Sequence, residues 1–401
     1  MPRQSPRSTH IGNATKAVHA GEGLSTGIGI PTSSPIHIAS AYSYEDAAEL
    51  DAVFADSSRG YVYSRFGNPT VTGFEQAVAA LEGTEEAVAF ASGMAAIFAA
   101  VNRAVKPGQA IVASQDVYGA TMALLRDNLE ATGIEVHFVD ILDLETVAET
   151  VSSSKAVAIL AETASNPLIR VANVPALREI AAAAGAKLII DNTFLSPIVS
   201  QPASIGADYV VHSTTKYLGG HGDSTGGVIA TSSDEAAAIR QTLKLTGAIM
   251  SPFEAWLTHR GIKTLPLRMK QHCANAAAVV EWLSRDERIE TVYYPGLSQE
   301  VPDGVFLEET RGAMLAYEVR GAGRDTIFKL LDSFELIKPA PTLGDVYSLT
   351  LYPAMSSHRG LSVEQRASIG IRDNLVRLSV GIEDVADIIG DLDQALTKAV
   401  G

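Results

Sequence analysis

The sequence predicts an α/β fold, with a mostly parallel mixed sheet flanked by helices, a smaller C-terminal α+β domain and an extended N-terminal arm. Through the central two-thirds of the chain, short β-rich runs alternate with longer Ala- and Leu-rich stretches of helical period. The segment before residue 70 is rich in Gly, Ser and Pro and lacks that rhythm. After about residue 260 the pattern changes to longer helices with a few short strands.

Each expected element has a local reason. The runs AIVAS from Ala110, VHFVD from Val136, AVAILAE from Ala156, KLIID from Lys187, YVVHS from Tyr209 and GGVIA from Gly226 are short, apolar and rich in β-branched residues. Their helical spacers favour parallel crossovers, so ligands should bind beyond the carboxyl ends of the strands. AVAFASGMAAIFAAV, Ala87 to Val101, is the longest apolar stretch. It falls short of the roughly 20 residues a bilayer needs and belongs in a core. Helices are expected around 266–285 and 384–399, with strands in AMLAYEV and NLVRLSV. The expected division is 1–62 for the arm, reaching a neighbouring subunit, 63–260 for the large domain and 261–401 for the small one.

Composition narrows the function. With 46% hydrophobic residues among 401, the chain can bury a large core. Its formal net charge of −15 repels phosphate backbones and anionic lipid, which argues against nucleic-acid and membrane partners. The N-terminal segment has no apolar run behind its early arginines, so a cytoplasmic location is expected. A single cysteine, Cys273, excludes an intramolecular disulfide framework. The nine histidines show no ligand spacing, and no metal is expected.

Chemistry concentrates in VVHSTTKYLGGHGD, residues 210–223. A lysine after a strand is ordinarily a solvated side chain. Lys216, however, follows the hydroxyls of Ser213, Thr214 and Thr215 and precedes Gly219, Gly220 and Gly222, which let the backbone approach a ligand. Such a lysine can hold a phosphate or form an imine with an aldehyde cofactor, and pyridoxal phosphate would use both the amine and the hydroxyls. That cofactor needs a carboxylate at its ring nitrogen, which Asp191 at the end of KLIID can supply, although a cap is the plainer reading of that residue alone. Ser92-Gly93-Met94 at the head of an apolar helix offers free amides to a phosphate. Arg377 interrupts the apolar strand NLVRLSV, which is costly unless the charge has a partner such as a substrate carboxylate.

With these residues in order, YSRFGNPT (63–70), ASGMAAI (91–97), VYGATM (117–122), SNPLIRVAN (165–173), DNTFLSP (191–197), HSTTKYLGGHGD (212–223) and RLSVGIED (377–384) resemble the cysteine/methionine-metabolism family of pyridoxal-phosphate enzymes. That family includes cystathionine γ-synthase, cystathionine γ-lyase, cystathionine β-lyase and methionine γ-lyase. The resemblance implies pyridoxal-phosphate fold type I and pyridoxal 5′-phosphate as cofactor. It makes Lys216 the cofactor-linked lysine and proton shuttle and places Asp191 on the pyridine nitrogen. Ser213, Thr215, Gly93 and Met94 would surround the phosphate, and Asn166 would bond the ring hydroxyl. Tyr118 would stack on the ring near the leaving group. Tyr63 and Arg65 would reach the phosphate from the neighbouring subunit of a homotetramer built from two dimers, with active sites shared across each dimer. Arg377 and Ser348 would orient the carboxylate of a small amino-acid substrate.

Two departures bear on that substrate. The turn Tyr118-Gly119-Ala120-Thr121-Met122-Ala123 is apolar where cystathionine-handling members carry polar or basic groups. Tyr347 stands where the cystathionine γ-enzymes tend to carry a glutamate. Both changes remove partners for a distal charge, which points to γ-elimination from L-methionine, giving methanethiol, 2-oxobutyrate and ammonia. Ala120 replaces the cysteine usual in methionine-cleaving members, so cystathionine γ-elimination and γ-replacement by a cystathionine γ-synthase or O-acylhomoserine sulfhydrylase stay open. A non-catalytic amino-acid-binding oligomer is the alternative outside catalysis.

Overall fold

The structure, a computed structural model, describes residues 12–22, 31–55, 58, 60–297, 299–356, 359 and 362–401. A seven-stranded sheet is formed by β1 (Glu86–Phe90), β2 (Ala110–Ser114), β3 (Glu135–Val139), β4 (Ala158–Glu162), β5 (Lys187–Asp191), β6 (Tyr209–Ser213) and β7 (Gly227–Thr231). Its order is β1-β7-β6-β5-β4-β2-β3. Strands β2 to β6 run parallel, whereas β7 is antiparallel to both β6 and β1. Every residue of β2 and β7 is buried, as a sheet covered by helices on both faces requires.

β2, β5 and β6 have the boundaries that their sequence runs predict. The stretch Ala87 to Val101 is not one element. It divides at Ser92, whose hydroxyl accepts a 3.1 Å hydrogen bond from Ala95 N–H and caps the helix Gly93–Ala104. The preceding residues form β1, apolar on both faces and therefore without a readable period.

A five-stranded sheet follows, built from β8 (Ile289–Tyr293), β9 (Met314–Val319), β10 (Lys338–Pro339), β11 (Leu349–Leu351) and β12 (Leu375–Ser379), in the order β10-β11-β12-β9-β8. All of its pairings are antiparallel except β10 with β11. The helices Leu265–Leu283 and Val385–Val400 lie where the periodicity predicts them. In the second of these, the Asp391 carboxylate accepts the backbone N–H groups of Glu335, Leu336 and Ile337 at 2.8 to 2.9 Å, anchoring the chain that enters β10.

A single apolar cluster joins the two sheets. It runs from Ala17 and Phe74 through Val210 and Tyr217 to Met314, Tyr317 and Leu396. The segment expected as an extended arm carries two short helices, Asn13–His19 and Ala47–Phe54. Ala17 is fully buried, and the Asp46 carboxylate caps the second helix by accepting Ala48 N–H. The arm's residues 1–11 and 23–30 lie outside the described residues. No helix among the described residues is long and apolar enough to cross a membrane.

Candidate active site

The carboxyl ends of β4, β5 and β6 open onto a cavity of about 280 Å³. The sheet side supplies Glu162, Asp191 and Ser213, followed by Thr215 and Lys216 in the turn after β6. The helix Gly93–Ala104 points its N-terminus into the cavity with Gly93 and Met94, and Tyr118 and Thr121 form another wall. The loop Pro341 to Leu343 and Arg377 of β12 close it from the second sheet.

Close approach explains two glycines. A Cβ on Gly93 would stand 2.8 Å from the Cβ of Ser213, and one on Gly227 would stand 2.2 Å from the carbonyl oxygen of Ser92. Ser213 and Gly227 are register partners in β6 and β7, so the helix N-terminus sits directly against this pair. Free amides and the hydroxyls of Ser213 and Thr215 therefore face the same end of the cavity.

Lys216 follows β6 because the chain turns there. Its N–H donates to Ser213 C=O at 3.2 Å, and its carbonyl accepts Gly220 N–H at 2.8 Å. Gly220 takes φ = 72°, and a Cβ on it would meet the Arg268 guanidinium at 2.1 Å. Arg268 donates to the carbonyls of Tyr217 at 2.9 Å and Gly261 at 2.8 Å, fastening this turn to the helix Leu265–Leu283. Burial pulls the Arg268 pKa down to about 10. The Lys216 amine donates to the Thr342 hydroxyl at 2.8 Å, and burial together with Arg377 lowers its pKa from the usual lysine value.

Arg377 is only 4% exposed in the all-buried strand β12. It donates to Asn166 Oδ1 at 3.1 Å and to the Thr342 carbonyl at 2.9 Å, while its Nε has no hydrogen-bond partner. Burial lowers its pKa to about 10. A buried guanidinium with a spare donor beside the cavity is fit to receive an anion. Asp191 accepts Thr193 N–H at 2.9 Å, and burial raises its pKa against the opposing pull of that contact.

The cavity thus gathers Gly93, Met94, Tyr118, Asn166, Asp191, Ser213, Thr215, Lys216 and Arg377. The remaining sequence expectations fall elsewhere. Ser348 is fully buried, donates to Glu383 Oε2 at 2.9 Å and accepts Gly381 N–H at 2.9 Å, and it does not line the cavity. Thr342, which the sequence reading did not name, stands beside Arg377 where Ser348 was expected. Tyr347 is 46% exposed, with the Lys338 ammonium 4.1 Å from its ring centre. Thr121, and not Met122 or Ala123, represents its turn in the lining. Tyr63 and Arg65 lie outside the cavity, where Arg65 donates to the Lys244 carbonyl and stacks on Phe66. Sequence reading also missed Glu162, whose carboxylate accepts Tyr118 N–H at 2.5 Å.

The family model for Cys/Met metabolism PLP-dependent enzymes matches residues 14–397. The chain belongs to that family. Among the family's curated proteins it is 40% identical to an L-methionine γ-lyase of Fusobacterium nucleatum subsp. polymorphum, over 96% of this chain and 98% of the relative. It is also 40% identical to an O-succinylhomoserine sulfhydrylase of Pseudomonas aeruginosa, over 89% of each chain. The crystal structure of a cystathionine γ-synthase from Xanthomonas oryzae pv. oryzae, in complex with aminoacrylate and cysteine, superposes with a TM-score of 0.90. It is 34% identical and is covered over 99% of its length by 98% of this chain. The expected fold type I architecture and the pyridoxal-phosphate cofactor therefore hold, and the chain is an enzyme of carbon–sulfur lyase type. The residues of the cavity fit that cofactor. A lysine amine, a carboxyl, a helix N-terminus and two hydroxyls surround one space.

Proposed function

We propose that this enzyme catalyses γ-elimination on L-methionine, taking up water and releasing methanethiol, 2-oxobutyrate and ammonia. The observation that carries this reading is the charge inventory of the cavity. Its cationic lining residues are Lys216 and Arg377, and its carboxyls, Glu162 and Asp191, stand together at the strand ends. Arg377 suffices for one α-carboxylate, whereas the second amino-acid group of cystathionine would be buried there without partners. Met94, Ile97, Phe194 and Leu343 suit a small thioether.

In this reading Lys216 and Asp191 would hold the cofactor, with the N-terminal end of the helix Gly93–Ala104, Ser213 and Thr215 to receive its phosphate. Bound pyridoxal phosphate supplies an electron sink that acidifies the substrate's α- and β-hydrogens. The chain's own work is positional and protonic. Arg377 and Thr342 would orient the substrate carboxylate, and Lys216, whose pKa burial and Arg377 lower from the usual lysine value, would move protons at the α- and β-carbons. Tyr118 and Thr121 both line the cavity, and the sulfur would leave beside Tyr118.

The similarity to an O-succinylhomoserine sulfhydrylase favours a second reading, γ-replacement with an external thiol. A side-by-side assay decides between them. 2-Oxobutyrate, the product of elimination, and the thioether amino acid, the product of replacement, are both measured from methionine, cystathionine, homocysteine and an O-acylhomoserine, with and without added thiol. Methionine should give the highest kcat/KM without thiol. Turnover that requires both acylhomoserine and thiol would replace elimination with replacement.

A further inference from the structure

Glu162 ends β4, Asp191 ends β5, and the two are direct register partners in the parallel pairing of these strands. In-register residues on adjacent parallel strands project from the same face, with the strands about 4.8 Å apart. Both carboxyls accordingly line the same cavity. The nearby cations are engaged elsewhere. Lys216 donates to Thr342, and Arg377 donates to Asn166 and Thr342. A third carboxylate, Asp116, lies on the Tyr118 side, where Arg170 holds it at 2.6 Å while also binding Asp140 at 2.7 Å. Two adjacent carboxyls in such a place cannot both ionise cheaply.

The two partners are held differently. Asp191 accepts the N–H of Thr193 at 2.9 Å, and against burial, which raises its pKa, this contact and His212 of the neighbouring β6 draw it down. Glu162 uses Oε1 to accept the N–H of Tyr118 at 2.5 Å, so it fixes the backbone of the residue that forms the facing wall. We propose that Glu162 is a positioning residue that keeps its proton, so that the Glu162–Asp191 pair presents one negative charge to the cofactor's ring nitrogen while neutral Glu162 holds Tyr118 in place. Burial first, and Asp191 next, push the Glu162 pKa well above the usual carboxyl range, which agrees with this division. A doubly ionised pair would face a single ring cation with one charge left unmatched. The inference rests on the proposed role of Asp191 and is independent of which sulfur amino acid is the substrate.

Glu162→Gln keeps the shape, the oxygen acceptor and the neutrality. The expected result is a pyridoxal-phosphate dissociation constant for the apoprotein within about twofold of wild type, and a weakening of about tenfold or more in Glu162→Leu, which cannot hold Tyr118 N–H. A second measurement uses the apoprotein alone. A raised pKa means that the folded chain keeps a proton which the unfolded chain releases above pH ~4.3, so wild-type stability should fall as pH rises from there through the folded pKa. The Tm of Glu162→Gln minus that of wild type should therefore grow as the pH rises above ~4.3. Tenfold weaker cofactor binding by Glu162→Gln, or a Tm difference that does not change with pH, would overturn the proposal. The pH arm reads the Glu162 proton even if wild-type apoprotein bound no pyridoxal phosphate, a result that would instead remove the cofactor assignments of Lys216 and Asp191.

Discussion

The Lys216 amine donates a 2.8 Å hydrogen bond to the hydroxyl of Thr342, joining the end of β6 to the loop after β10. The same threonine offers its carbonyl to Arg377 at 2.9 Å. One residue of the second sheet's approach segment thus touches both cations of the cavity. Thr342→Val removes the hydroxyl and keeps the volume. The loss of one hydrogen bond, about 1 kcal/mol, should lower kcat/KM roughly fivefold while cofactor content stays at one per chain. Unaltered steady-state kinetics would deny the hydroxyl any part in the reaction.

Lys216 and Asp191 should fail in different ways. Lys216→Ala should leave no pyridoxyl mass on the chain after borohydride treatment, because among the described residues no other amine lines the cavity. Asp191→Asn should still take up cofactor yet lose roughly three orders of magnitude in kcat, since a neutral partner no longer favours the protonated ring nitrogen. Mass spectrometry and single-substrate kinetics separate the two outcomes, and near-normal turnover by the asparagine variant would refute its assigned role.

Tyr63 and Arg65 stand apart from the cavity of their own chain, as residues serving a neighbour's site would. Mixing inactive Arg65→Ala chains with inactive Lys216→Ala chains should restore about a quarter of wild-type activity per chain, because half of randomly mixed dimers are heterodimers with one intact site of two. Absence of recovery, with subunit exchange demonstrated by mass, would show that Arg65 does not serve the neighbouring subunit's site.

Much of the large sheet was legible because its strands are short apolar runs bounded by turns, as at Ala110–Ser114 and Tyr209–Ser213. β1 was not, since its apolar residues flow into those of the next helix and only the Ser92 cap marks the border. In the site, residues inside sequence motifs, such as Lys216, Asp191 and Arg377, could be named beforehand. Thr342 and Glu162 could not. Thr342 acquires its partners from a loop crossing between sheets, and Glu162 from a strand register, and neither relation leaves a local pattern. Ser348 shows the converse, a residue expected at the substrate carboxylate whose hydroxyl is instead consumed by Glu383 and Gly381.

Arg268 gives the two sheets a mechanical link. Its guanidinium grips the carbonyl of Tyr217, next to the amine-bearing residue, from a helix whose core residues Met269, Cys273 and Ala276 share one apolar cluster with Met314 and Tyr317 of β9. A tilt of the second sheet would therefore pull on the turn that carries Lys216 as well as on the loop that carries Thr342. Donor and acceptor would travel as one lever, and their spacing would survive a rocking motion that opened the rest of the cleft.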